Sequence, residues 1–131
     1  MISLRTIIAT IAVALALPLA AIAQDPPARK ELKRVDLDGV PGMEVVSSIT
    51  EYKPGDELSA HLHHGVEAGY VVQGAMIQAP GKEPSMLPTG AAVLNLRDVM
   101  HGGFKIVGDT SLKLFTVHIV DKGKPLYDVK P

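Results

Sequence analysis

From Met43 onward the apolar positions fall in short runs, and none keeps a helical period over ten residues. Turn signals separate the runs at Pro41-Gly42, Pro54-Gly55, Pro80-Gly81, Gly90, Gly102-Gly103 and Gly108-Asp109. The segments between them predict strands over Glu44–Tyr52, Ser59–His63, Gly69–Val72, Ala75–Gln78, Ala92–Leu96, Gly103–Val107 and Leu112–Val120. Many short strands with turns between them indicate an all-β sandwich or barrel. The last strand is apolar on both faces. One face holds Leu112, Leu114, Thr116 and His118; the other holds Lys113, Phe115, Val117 and Ile119. Lys113 marks its own set as the outer one, which turns His118 inward as a satisfied interior side chain.

The N-terminal part has a different pattern. Arg5 precedes an apolar run from Ile7 to Leu17, and Ala21-Ile22-Ala23 has the small-x-small form of a signal-peptidase site. Residues 1–23 therefore read as a signal peptide cut after Ala23, and the mature chain as periplasmic or secreted. The run is short for a membrane span and Pro18 interrupts it. Residues 24–42 read as an N-terminal arm or tether. Residues 43–131 form one domain, too short for two cores.

Removing Arg5 with the leader takes the formal charge from −1 to −2, and no basic patch points to nucleic acid. The sequence contains no Cys. An exported fold without disulfides depends on sheet pairing and core packing, helped by any bound metal.

The chemistry concentrates in PGDELSAHLHHGVEAGYVVQG, where Gly55, His61, His63, Glu67 and Gly74 fit G-x5-H-x-H-x3-E-x6-G. Imidazole nitrogens suit first-row transition metals, and a carboxylate adds a hard oxygen. His61 and His63 share a strand face because side chains alternate with period two. Glu67 follows the turn His64-Gly65-Val66 and can point back at the same ion. His64 alternates away and is expected in solvent. Gly55 and Gly74 serve turns.

The stretch Gly55–Gly74 resembles the first motif of the cupin superfamily at every fixed position. The second motif, G-x5-P-x-G-x2-H-x3-N, is met by Gly90 and His101, while Leu96, Asp98 and Lys105 stand at its Pro, Gly and Asn. The resemblance spans about Met43 to Val120, and the ending HIVDKGKPLYD is similar to small single-domain bacterial cupins. It implies a double-stranded β-helix, or jelly-roll barrel, enclosing a pocket. It also implies one divalent transition metal (Fe, Mn, Ni, Co, Zn or Cu) held by His61, His63, Glu67 and His101, and a homodimer that Asp25–Arg34 could join.

Such a site implies a dioxygenase-like enzyme on a small molecule, with Glu67 also accepting a proton. A metal-dependent isomerase or lyase, a non-enzymatic binder and a purely structural clamp use the same residues. An enzyme requires the metal to face an open pocket. Lys105 is expected in solvent, and Tyr70, Met76, Met86, Met100 and Phe104 in the core or pocket wall.

Overall fold

The computed structural model describes residues 28–129. The leader over residues 1–23 and its cleavage site lie outside these residues. The described residues form nine strands and no helix: β1 (Arg29–Asp36), β2 (Met43–Tyr52), β3 (Glu57–Leu58), β4 (Gly65–Gln73), β5 (Ala75–Gln78), β6 (Ser85–Leu87), β7 (Ala92–Asn95), β8 (Phe104–Val107) and β9 (Leu112–Asp121). They pair as a five-stranded sheet, β1-β2-β9-β4-β7, and a four-stranded sheet, β3-β8-β5-β6. Every pairing is antiparallel.

The alternation of β2 explains its place. Glu44, Val46, Ser48, Thr50 and Tyr52 are buried, and the residues between them are less so. Beside it, β9 buries Leu112, Thr116, His118 and Val120, which is the inward face that Lys113 marked in the sequence. Two apolar clusters form, the first between the sheets and the second between the five-stranded sheet and the C-terminal segment. Tyr52, Val71, Ala75, Ile106 and Leu112 make one; Val46, Val120, Leu126 and Tyr127 make the other.

Several expectations change. The arm contributes strand β1 from Arg29, paired with β2. Its run RKELKRVD shows no apolar alternation because the strand lies at a sheet edge and exposes most side chains. Polar contacts fix it: Arg34 binds the buried Glu44, and Lys122 Nζ reaches Asp36 at 2.6 Å. The expected strand Ser59–His63 is shorter and earlier, at Glu57–Leu58, with His61 forming an isolated bridge to His101. Strand β6 was not foreseen. Tyr70, Met86 and Met100 are not core or pocket residues but 51%, 59% and 46% exposed. For Tyr70 the cause is parity, since β4 turns Glu67 and Val71 inward.

Gly55 adopts φ +92°, the left-handed turn expected after Pro54. Gly74 is needed for closeness instead, because a Cβ there would lie 2.5 Å from the Leu87 carbonyl oxygen.

Candidate metal centre

Strand register assembles the site in rows. Glu67 on β4 lies opposite His118 on β9 and Asn95 on β7. Gly69 lies opposite Thr116 and Val93 in the next row. From the loops before β4 and β8, His61 and His101 exchange backbone hydrogen bonds of 2.9 Å, which fixes the two segments side by side.

Each of these three histidines donates Nδ1–H to a carbonyl: His61 to Ser59 at 2.7 Å, His63 to Leu126 at 2.5 Å, and His101 to Val99 at 3.0 Å. A carbonyl only accepts, so these contacts set the Nδ1–H tautomer in the neutral rings and leave Nε2 with its lone pair. The free nitrogens converge. His63 Nε2 and His101 Nε2 are 3.1 Å apart, and Glu67 Oε2 is 3.2 Å and 3.3 Å from them. Three acceptors this close repel unless a proton or a cation lies among them. The donor set therefore fits a metal ion, and His61, His63 and His101 form one group able to hold it.

Glu67 approaches His63 and His101, but the ligand-spaced group of His61, His63 and His101 does not include it. His61, His63 and Glu67 are buried, and His101 is partly exposed. Burial pushes the His61 imidazole down to about 4, which keeps it neutral for ligation. Burial favours the neutral acid at Glu67, but contacts with His101, His118 and His63 outweigh it and hold the carboxyl well below the usual range. His101 is also penalised by burial, yet Glu67 and the Val99 carbonyl raise it overall.

Three residues join them. Asn95 Nδ2 donates to Glu67 Oε2 at 2.6 Å. Its signal in sequence was a lone polar residue closing the apolar strand AVLN. The Tyr127 ring packs against His61 and His63 with centroids 4.8 Å and 5.1 Å away. His118 is inside, as its face implied, but it is not satisfied by hydrogen bonds. Neither ring nitrogen has such a partner among the described residues, and Nε2 lies 3.4 Å from Glu67 Oε1. His63, Glu67 and His118 form a second group with ligand spacing. His63 has only one free lone pair, so the two groups together could hold only a single ion through it.

His64 points away from the cluster, as alternation requires. It bridges Asp98 and Asp128 at 3.0 Å each, so it is a clamp between loops and not simply solvated. Asp98 has φ +60°, alone among the described non-glycine residues. The motif's Gly position thus keeps its left-handed backbone, which Asp tolerates better than most residues. Lys105 is exposed on β8 and absent from the cavity wall.

A cavity of about 220 Å³ opens beside the cluster, with His61, Glu67 and His101 in its wall. Apolar side chains from both sheets, Phe104 among them, supply most of the rest.

No family model matches the chain, and no curated protein does. Solved structures do match. An uncharacterised conserved protein with a double-stranded β-helix domain from Klebsiella pneumoniae aligns at 19% identity over 66% of this chain and 76% of its own, with TM-score 0.51. The fold is the double-stranded β-helix. The polyketide cyclase RemF from Streptomyces resistomycificus shares it at 19% identity, covering 71% of this chain and 75% of that one, with TM-score 0.50. An RmlC-like cupin from Shewanella frigidimarina aligns at 19% identity over 66% and 83% of the two chains, with TM-score 0.47. The double-stranded β-helix is the fold that the resemblance of Gly55–Gly74 implied.

Proposed function

We propose that this cupin is an exported metalloenzyme. It holds one divalent transition metal on His61, His63, Glu67 and His101 and acts on a small molecule, with dioxygenase-like chemistry. One observation carries the reading: three of these four residues line the cavity. A purely structural clamp would be enclosed by packing and would need no such opening.

A bound metal supplies Lewis-acid polarisation and, where it is redox-active, oxygen activation. The chain's residues set the conditions. His61, His63 and His101 present Nε2 in a fixed tautomer. Asn95 holds Glu67 Oε2, leaving Oε1 as the oxygen that takes a substrate proton, with His118 Nε2 beyond it at 3.4 Å. The apolar wall limits water around the reacting groups. The same donors serve a non-oxidative cyclisation or lysis, and the fold is shared with a polyketide cyclase. Export rests on the leader pattern at Arg5, Ile7–Leu17 and Ala21-Ile22-Ala23.

The test is metal analysis of the mature protein, followed by oxygen consumption on catechols and flavonoids after loading with iron, manganese, nickel, copper or zinc. Metal binding without oxygen uptake on any metal removes the dioxygenase reading. Unchanged metal content in His61→Ala removes the ligand set. N-terminal sequencing of exported protein is expected to begin at Gln24, and an intact leader would overturn cleavage.

A further inference from the structure

We propose that Gly69 is the residue that selects the substrate. Its missing side chain leaves a slot beside the metal row. The slot takes the uncharged, apolar body of a compact molecule whose polar end meets the metal. The inference rests on reading the cavity as a metal-dependent site, and it names the position that decides what enters.

Nine of the chain's twelve glycines have positive φ. Gly65 and Gly74 are needed for closeness, since a Cβ would lie 2.0 Å from the Ile119 carbonyl oxygen at one and 2.5 Å from that of Leu87 at the other. Gly69 has neither reason. It sits inside β4 without a positive φ. A Cβ there would meet Thr116 Cγ2 and Val93 Cβ at 3.4 Å and the Phe115 carbonyl oxygen at 3.5 Å, all ordinary contacts. These atoms belong to the flanking strands β9 and β7, and the facing sheet comes no closer. Glycine inside a strand costs stability relative to alanine, and it often marks a place where a ligand or another backbone approaches closely. No backbone comes near enough to exclude a side chain at Gly69, which leaves the ligand. Gly69 has the inward parity of Glu67 and Val71, is partly accessible and lines the cavity. It stands two residues from Glu67, about 6.6 Å along the strand.

The wall around the slot sets the class of molecule. His61, Glu67, Asn95 and His101 gather the polar groups at the metal end. Beyond them lie Val93 and Leu114 from one sheet and Ile77 and Leu87 from the other. Thr50 and Thr116 add no polar contact, because their hydroxyl oxygens are buried away from the cavity surface. No Lys or Arg is among the described residues of the wall, so a carboxylate or phosphate at the far end would meet no counter-charge. The cavity of about 220 Å³ is smaller than the roughly 300–1,000 Å³ of drug-sized pockets, which keeps the molecule compact.

Zinc-loaded protein, chosen because zinc has no redox chemistry, is titrated calorimetrically with acetohydroxamate, butanohydroxamate and the monohydroxamate of succinic acid. The metal-binding head is the same in each, and only the tail differs. Butanohydroxamate is expected to bind about 15-fold more tightly than acetohydroxamate, about fourfold for each added methylene. The carboxylate tail is expected to bind more weakly than the alkyl tail of butanohydroxamate. In Gly69→Ala the advantage of the longer alkyl tail should shrink, and in Gly69→Val it should nearly vanish, while one zinc still binds. If the valine variant does not fold, the alanine variant decides alone. Thermal stability of Gly69→Ala should stay level or rise, because its methyl fits and a strand disfavours glycine. Equal binding of the two alkyl probes, tightest binding of the carboxylate, an advantage undiminished in Gly69→Ala, or a clear loss of stability in that variant each overturns the slot. Failure to bind zinc overturns the metal reading and the slot with it. Zinc binding without any hydroxamate overturns the open cavity behind both, whereas zinc and hydroxamate binding with no response to the tail overturns the slot alone.

Discussion

Asn95 faces Glu67 across the β4–β7 ladder and donates its side-chain amide to Oε2, the same oxygen that faces His63 and His101. The carboxylate is therefore aimed before any ion arrives. Asn95→Ala is expected to weaken metal binding about 10- to 100-fold, the usual loss for a residue that orients a ligand. Competition against a coloured chelator measures it. Unchanged affinity would mean that Glu67 needs no orientation.

Removing a donor should do more than removing its support. His61→Ala and His101→Ala are each expected to lower metal affinity by more than about 100-fold, beyond the outer-shell range. His118→Leu is expected to keep one ion per chain, because His63 has a single free lone pair. Metal stoichiometry by mass spectrometry of the intact protein separates the variants. A drop to zero in His118→Leu would make His118 a principal ligand.

The metal-free protein should lose stability on acidification. Burial holds His61 at about 4 against an ordinary 6.5, and burial also lowers His118. Between those values the unfolded chain takes up protons that the folded one refuses, so stability falls as pH drops through this window. Glu67, held low by its histidines against burial, contributes stability above its unfolded value of 4.5 that is lost with further acid. His101 opposes the trend. Its raised value stabilises below 6.5, and that contribution fades as pH rises through its folded value. Urea midpoints at about pH 7.5, 6 and 4.5 should decrease in that order. A midpoint that climbs with acid contradicts the balance.

The backbone at Asp98 allows a separation of two effects. Asp98→Gly and Asp98→Ala both remove the carboxylate that holds His64 Nδ1. Only alanine keeps a Cβ at φ +60°. The alanine variant is expected to be less stable than the glycine variant by about 1 kcal/mol, the lower range for a left-handed non-glycine residue. Chemical denaturation of both variants gives the difference directly. Equal stabilities would show that the loop relaxes out of the left-handed region.

What the sequence revealed depended on distance along the chain. His61, His63 and Glu67 lie within seven residues, so period-two alternation and one turn were enough to bring them together. His101 was legible through a partly kept motif, and Asp98 explains how the loop survived the loss of its glycine. Asn95 left only the faint signal of a polar residue closing an apolar strand, and Tyr127 left none, because it reaches the cluster through tertiary packing. The charged run of β1 hid a strand for a related reason: an edge strand buries too little to impose alternation. The cupin resemblance supplied the barrel.

His63 depends on a residue made much later. Its Nδ1 is held by the carbonyl of Leu126, and Leu62 beside it bridges Asp128. All four proposed ligands can be synthesised and still lack their final alignment until residue 126 has left the ribosome. Metal capture is thereby tied to completion of the fold, so a nascent chain should be a poor scavenger. Stalled chains of increasing length would show whether high-affinity binding begins only after Leu126 is free, and tight binding by chains ending before it would refute this order.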